Sequence, residues 1–459
     1  MRSSYKLLSL YIVSTIIFLI WHFKYMGWDF SVYVLNAQYW FGNGMYFEIE
    51  RAPLMSLIIG LFSMFSWKVA EYLYIILVSS LFFFSSVKLA EVFRVDKFVF
   101  YLFSLNSFVL VYGLIEGSDL LALSLLGLFL VYLLKNDWKA GLFLGLACLT
   151  RYTFVIFIPL LLFHKKIRSF ILSCLSYCLV FVPWFIYNKM AYGNIFYSIA
   201  SSVALNVVYR DYIKSSIDYM NFAYAWNFLI PLVVIGLIYF VWKERIDRKY
   251  LLIFGFVALS FYSVYNLKSN IVRYFMIFTI PGAIFASYAL KKIKWKKFIL
   301  LAFIILTLVS TAFVFSSGKF VNTDYDDLSI DENCALKTNL WVSFNYNERA
   351  AEVFPRKELV SYYIDEGYYM LFKYDAREPE YMFNESFMSE FPVVYQDEDY
   401  ILIGEGCVEI SSVDESYIDR LNNDLLLAYN YTETNDPCVL LMDGNQVCYF
   451  VDSLFEKFK

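Results

Sequence analysis

Twelve apolar runs fill the first two-thirds of the chain, near residues 7–23, 53–67, 69–90, 98–114, 120–134, 140–150, 152–163, 169–187, 222–242, 250–267, 274–290 and 298–316. A helix needs about 20 apolar residues to cross a hydrocarbon core, and the backbone inside a bilayer must satisfy its own hydrogen bonds. Repeated runs of this kind therefore restrict the chain to a bundle of membrane helices. Composition agrees: of 459 residues, 60% are hydrophobic, 21% aromatic and 17% charged. Disorder needs low hydrophobicity, and an ordinary soluble protein carries about 45–50% apolar and about 25% charged residues. A polytopic α-helical membrane protein remains.

Charge divides the chain. Residues 1–316 hold 28 Lys/Arg and 13 Asp/Glu, whereas residues 317–459 hold 10 and 29. The first part reads as a basic transmembrane domain. The second reads as an acidic, water-soluble domain, long enough to bury a core of its own. Its acidity argues against nucleic acid as a partner.

Topology turns on the run 53–67. It has 15 residues, begins with Pro53 and meets the next run almost without a loop. If it does not cross, 19 basic residues collect on one side and 9 on the other. If it crosses, the counts exchange sides, so the excess of Lys and Arg in cytoplasmic loops favours the first choice. The first run follows Arg2 and Lys6 and has no small-x-small site before Trp21-His22-Phe23, so it reads as a retained helix. This gives about 11 transmembrane helices, with the pair 140–150 and 152–163 short for two full spans. The N-terminus lies in the cytoplasm of a multi-pass cell-membrane protein, and the C-terminal domain is extracytoplasmic. Segments 24–68, 115–119 and 188–221 face outward.

The tail reads as mixed α/β. Thr338–Tyr346 and Tyr368–Tyr374 are expected strands with a helix over Glu348–Asp365 between them, and Tyr400–Gly404 and a final hairpin add strands. Cys334, Cys407, Cys438 and Cys448 suggest two disulfides, with three connectivities open. A hairpin turning at Asp443-Gly444 favours the pair Cys438–Cys448.

Soluble-enzyme templates are missing. The two histidines, His22 and His164, border apolar runs, and no Cys/His cluster has zinc spacing. There is no phosphate-binding glycine loop and no GxSxG. Carboxylates and basic residues at the outer face are what remains. Asp29 stands at the start of an expected amphipathic surface helix over 29–41, marked by Tyr33, Ala37 and Trp40; as a plain structural residue it would cap that helix. Glu116-Gly117-Ser118-Asp119 forms a short outer loop in which Ser118 or Asp119 is equally a potential cap. Arg151 interrupts a long apolar stretch and Arg273-Tyr274 opens another run; snorkelling is the bland reading of both arginines. Together these groups suit a lipid-linked phosphate: arginine binds phosphate, and a carboxylate serves as base or metal ligand.

These segments resemble a known family. The series Asp29, Tyr33, Ala37, Gly44, Tyr46, Pro53-Leu54 is similar to the first outer loop of the GT-C integral-membrane glycosyltransferases, in the protein O-mannosyltransferase and aminoarabinose-transferase-like branch. Gly141, Gly145, Leu149-Thr150-Arg151 and Pro159 resemble one of its later segments, and Arg273-Tyr274 with Pro281 another. Asn339-Leu340-Trp341-Val342 is similar to archaeal members with an outer α/β domain. The resemblance covers about residues 1–316. Phe30 stands where the family often has an acidic residue, and Ala52 where it often has a proline.

The resemblance implies a sugar donor linked to a polyprenyl phosphate such as dolichyl phosphate, and an acceptor protein, lipid or glycan on the outer face. It makes Asp29 the catalytic aspartate and Asp119, with Glu116, the second acidic position. Arg51, Lys24, Arg151 and Arg273 would contact the donor phosphate. Asp29 and Asp119 are also the candidate ligands of a divalent metal ion. A secondary transporter or lipid-linked sugar flippase is the alternative; such proteins place ionisable groups near mid-membrane and show inverted repeats, neither of which is visible here. A third reading, a non-catalytic surface scaffold, would make the outer carboxylates dispensable.

Overall fold

The computed structural model describes residues 2–44, 46–205, 220–243, 247–265, 272–317, 333–374, 379–409 and 416–431. Cys438, Cys448 and the hairpin expected at Asp443-Gly444 lie outside the described residues. The chain divides into two compact units: Met1–Phe30, Ala52–Phe196 and Ile213–Val321 form the first, and Ser31–Arg51, Tyr197–Tyr212 and Asn322–Lys459 the second.

The first unit is helical. It contains α1 (Arg2–Lys24), the start of α2 (Trp28–Phe41), α3 (Leu54–Phe62), α4 (Trp67–Phe93), α5 (Lys97–Ser104), α6 (Ser107–Tyr112), α7 (Ser118–Leu134), α8 (Lys139–Thr150) and α9 (Ile167–Tyr192). Helix α4 packs on α1 and α7, α7 on α8, and α8 on α9; the later helices Ile230–Lys243 and Thr279–Lys292 pack on each other. Among the described residues, five helices are long and apolar enough to cross a membrane: Tyr5–Lys24, Trp67–Phe93, Ile167–Tyr192, Val272–Lys292 and Lys296–Ser316. Shorter apolar helices accompany them. The α8–α9 contact depends on Gly141, where an added Cβ would fall 1.7 Å from the Ser173 carbonyl oxygen. Small residues at such crossings let helices approach closely where no water drives them together.

Local chemistry breaks two of the apolar runs. The run 53–67 contains only the nine-residue α3. At 1.5 Å per residue it spans about 14 Å, less than half of a hydrocarbon core of about 30 Å. Ser66 then starts α4 by accepting a hydrogen bond from the Val69 N–H at 3.2 Å. The run 98–114, read as one stretch, is two helices. Asn106 separates them: its side chain accepts from the Val109 N–H at 3.0 Å and donates to the Ala225 carbonyl at 3.0 Å. Apolar content alone does not reveal such a cap, because a single polar residue barely alters a hydropathy window. The run 152–163 is a 12-residue 3-10 helix, which at about 2.0 Å per residue reaches about 24 Å.

In the second unit, β1 (Leu336–Thr338), β2 (Glu352–Val353), β3 (Tyr369–Lys373), β4 (Val393–Gln396) and β5 (Tyr400–Ile403) form a sheet in the order β2-β1-β3-β5-β4. Strand β1 is parallel to β2 and β3, and β5 is antiparallel to β3 and β4. Val360, Ile364, Met370, Phe372, Met382, Met388, Ile401 and Ile403 make its apolar core. The strand expected over Thr338–Tyr346 ends at Thr338, and Trp341–Tyr346 is a helix. Asn339 is the reason. Its side-chain amide donates to the Lys373 carbonyl and accepts from the Lys373 N–H, taking the place of a further backbone pair and releasing the chain from the sheet. The expected helix over Glu348–Asp365 is likewise divided: β2 occupies its start, and only Val360–Asp365 is α-helical.

Buried Lys337 on β1 is compensated by Glu352 on β2, 2.8 Å away, and by the Tyr363 ring 3.9 Å from its Nζ. Burial pushes the Glu352 carboxyl up, but the charge and hydrogen bond of Lys337, with Arg420 beyond, outweigh it and hold the pKa below the usual range. Cys334 and Cys407 form a disulfide 73 residues apart in sequence. Cross-linking a loop of that length stabilises a fold by about 2–4 kcal/mol. Cys407→Ser in the full-length protein is expected to lower the unfolding temperature of the tail, and reductant should lower it by more in the parent than in the variant. Differential scanning fluorimetry in detergent measures both.

Candidate active site

The corner between α1 and α2 and the loop between α6 and α7 are tied together by two hydrogen bonds, one between backbones and one to a side chain. The Gly27 N–H donates to the Ile115 carbonyl at 3.0 Å, and the Asp29 N–H donates to Glu116 Oε2 at 2.8 Å. The first-turn N–H groups of a helix lack partners within it, so Glu116 caps α2, and Asp29 lies one residue inside the helix with its own carboxylate turned to other work. The loop is held from behind. Gly117 has φ +81°, and a Cβ there would strike Met55 at 2.2 Å and Phe30 at 2.8 Å; Tyr74 donates to its carbonyl at 2.9 Å. Only glycine fits this turn.

Five charged side chains meet in front of it. Arg273 opens the segment Val272–Phe278, and its Nη2 pairs with Asp29 Oδ2. Its Nη1 lies 3.4 Å from Glu116 Oε2 and 3.8 Å from Asp119 Oδ2. Arg151, at the end of α8, pairs through Nη1 with Asp119 Oδ1. Both guanidiniums flank the Tyr274 ring, at 4.9 Å for Arg151 and 5.7 Å for Arg273, so an aromatic face stabilises each cation. Side-chain exposure is only 10% for Arg273, 13% for Asp29 and 6% for Asp119. Charges are costly at such burial unless paired, and here three carboxylates surround two guanidiniums. Burial raises the pKa of Glu116, which sits in the loop; Arg273 works against that rise, and the negative charges of Asp29 and Asp119 add to it.

Asp29, Glu116, Asp119, Arg151 and Arg273 therefore form one cluster, although the sequence spreads them over more than half the chain. The snorkelling geometry considered for Arg151 and Arg273 is not what they adopt. Arg51 belongs to the second unit, where its Nε donates to Glu48 Oε2 at 2.6 Å. Lys24 ends α1 and is exposed. The surface helix expected over 29–41 is α2, but residues 30–37 are all buried, so it has no solvated face along that stretch.

One buried hydrogen-bonded pair escaped sequence reasoning. His22 Nε2 lies 2.7 Å from Glu71 Oε2, both fully enclosed, and the imidazole packs 4.5 Å from the Phe30 ring. A lone His and Glu at the borders of two runs carry no spacing signal that would join them.

The metal expectation meets an obstacle. Arg273 stands between Asp29 and Asp119, and among the described residues no group of three or more His, Cys, Asp or Glu side chains is placed to hold a metal ion. The guanidinium supplies the positive charge at the position a divalent ion would take, so the donor set does not fit one.

No protein-family model and no curated protein sequence matches the chain. Its fold is similar to that of ArnT from Cupriavidus metallidurans bound to undecaprenyl phosphate, with a TM-score of 0.59 and 12% identity over 86% of this chain and 97% of that one. The apo state of the same protein gives 0.57 and 11% over the same shares. At this identity the likeness is one of backbone, and it matches the family that the outer-loop residues resemble. The chain has the fold of this ArnT, and among its described residues five helices are long and apolar enough to cross a membrane.

Proposed function

We propose that this protein is a membrane glycosyltransferase that moves a sugar from a polyprenyl-phosphate-linked donor to an acceptor protein, lipid or glycan at the extracytoplasmic face. One observation carries the reading: Arg273 is buried among carboxylates, yet among the described residues its Nε and Nη1 make no hydrogen bond. A buried donor left unpaired costs about 1–3 kcal/mol. Phosphate oxygens accepting from these nitrogens, one on each edge of the guanidinium, remove that cost and gain charge-assisted contacts. The undecaprenyl phosphate bound to the structural neighbour supports the same class of lipid.

In this reading the acceptor hydroxyl or amine attacks the anomeric carbon. The bond from that carbon to the phosphate oxygen breaks, and its electron pair leaves with the polyprenyl phosphate. Asp29 takes the acceptor proton as general base. Arg273 and Arg151 offset the charge that grows on the phosphate, an electrostatic role strengthened by the low-dielectric surroundings. One displacement inverts the anomeric carbon. Asp119 holds Arg151 in place, and Glu116 holds the first turn of α2 and hence Asp29. Lys24 serves as a further cationic contact to the donor. The positive-inside asymmetry orients the chain, with the N-terminus in the cytoplasm and the tail outside.

Asp29→Asn is expected to lower sugar transfer in membranes by about 10²–10⁴-fold, the usual contribution of a positioned base; undiminished transfer removes the mechanism. Because the guanidinium supplies the cationic charge, chelation of divalent ions by EDTA should leave the rate unchanged, and loss of transfer restored by added Mg²⁺ or Mn²⁺ would contradict this.

Glu116 gives a pH signature. Ionised, it competes with phosphate for Arg273; protonated, it does not. Its raised pKa means that the competition fades as pH falls through a value above the ordinary carboxylate range. Glu116→Gln never competes, and it still accepts from the Asp29 N–H. The variant should bind undecaprenyl phosphate roughly tenfold more tightly than the parent at pH 8, equivalent to about one pKa unit of interaction. The ratio should shrink toward one on acidification. Radiolabelled-lipid binding across pH measures it.

A further inference from the structure

One motif of the tail has no part in the catalytic reading. Asn384-Glu385-Ser386 has the asparagine-x-serine pattern that accepts an N-linked glycan. A pattern of three residues arises easily by chance, so the surroundings decide whether it works as an acceptor. Asn384 and Ser386 are both exposed. Asn384 stands between the 3-10 turn Glu380–Phe383 and the one-turn helix Glu385–Met388. Its side-chain Oδ1 accepts from Ser386 Oγ at 2.7 Å and from the Phe387 N–H at 3.3 Å. The hydroxyl that the motif requires therefore already lies on the carboxamide beside it.

Both bonds use the oxygen, which leaves the nitrogen Nδ2 outside this network. A sugar on Nδ2 replaces one N–H and keeps the carbonyl. The cap that Oδ1 places on the short helix thus survives the modification, and the fold loses no bond to it. The same unit holds the Cys334–Cys407 disulfide, a cross-link that persists in oxidising compartments outside the cytoplasm, where an exposed sequon meets glycan transfer. The surface around the motif also gains from a cover. Phe383, next to Asn384, is exposed, as are Val393, Val394 and Tyr395 of β4, which lies at the edge of the sheet. An apolar edge strand invites pairing with another chain, and a bulky hydrated glycan is a solubilising surface group.

We infer that Asn384 is an acceptor site for an N-linked glycan. The inference rests on the reading that places the tail outside the membrane. The donor is a glycan linked to a lipid phosphate, and the catalyst is a separate asparagine-directed transferase of the same membrane. Nδ2 of Asn384 forms a bond to the anomeric carbon. The bond from that carbon to the phosphate oxygen breaks, and its electron pair leaves with the lipid phosphate. Nδ2 gives one proton to a base of the transferase. The second sequon, Asn430-Tyr431-Thr432, ends outside the described residues and carries no part of the argument.

The test is mass spectrometry of peptides from the full-length protein purified from its native membranes. The peptide holding Asn384 is expected to carry one or more sugar units on that residue. Ser386→Ala should lose the glycan and Ser386→Thr should keep it, because the motif takes either hydroxyl; retention in the threonine variant shows that the loss comes from the hydroxyl and not from misfolding. Bare Asn384 in the parent overturns the inference, as does a glycan that survives in Ser386→Ala. A second measurement separates this from the placement of the tail. Lys357 is exposed in the same unit, and in an Asn384→Gln variant on intact cells it should react with a membrane-impermeant amine reagent. If Lys357 reacts while Asn384 of the parent is bare, the inference fails and the outward tail stands. If Lys357 stays unlabelled and Asn384 is bare, both fail.

Discussion

A single guanidinium organises the first unit. Arg273 faces Asp29 from α2, Glu116 from the loop before α7, and Asp119 from α7 itself. Each of these carboxylates is drawn to it, and through Asp119 the end of α8 is drawn in as well, by Arg151. Two unit charges 4 Å apart interact by about 4 kcal/mol at an effective dielectric constant of 20. With the cation removed, the acids would repel one another at similar range and could not all stay ionised. The cluster is thus a structural keystone, whatever chemistry it also carries. Among the described residues Nε and Nη1 of Arg273 and Oδ2 of Asp119 make no hydrogen bond, so pairing with these residues leaves part of the cluster's bonding capacity unspent.

The sequence made the broad architecture readable because hydropathy is local: a run of apolar residues reports its own burial. It also made the five cluster residues visible, since each is a charge at the edge of an apolar run. Their mutual geometry was not readable. Nothing in the spacing says that Glu116 reaches the Asp29 N–H, or that Arg273 faces carboxylates as well as any phosphate. His22 and Glu71 failed for the same reason, as did Tyr46 and Trp341, which are nearly 300 residues apart. The errors inside elements have a different origin. Asn106 and Asn339 each break an apparently continuous segment by lending a side-chain amide to the backbone, and an amide that replaces a main-chain group looks like any other polar residue in sequence.

The boundary between units also departs from the boundary in composition. Charge balance divides the chain near residue 316, yet Ser31–Arg51 and Tyr197–Tyr212 belong with the tail. For the first of these segments the cause is Tyr46, whose hydroxyl and ring are engaged by Trp341 and Arg420. Burial explains why α2 lost its expected wet face: a helix whose residues 30–37 are all enclosed needs apolar or paired side chains on every side, and Ser31 and Asn36 are its polar exceptions. Asn36 is matched by the Glu48 backbone.

Tyr274 has a quieter role. Two guanidiniums face one phenol ring, so the electron-rich ring works as a spacer between like charges that would otherwise drift apart or crowd together. An aliphatic residue of equal bulk would fill the volume without screening either cation. The ring therefore sets the gauge of the arginine pair, and under the proposed function that gauge is the width of anion that both would grip at once.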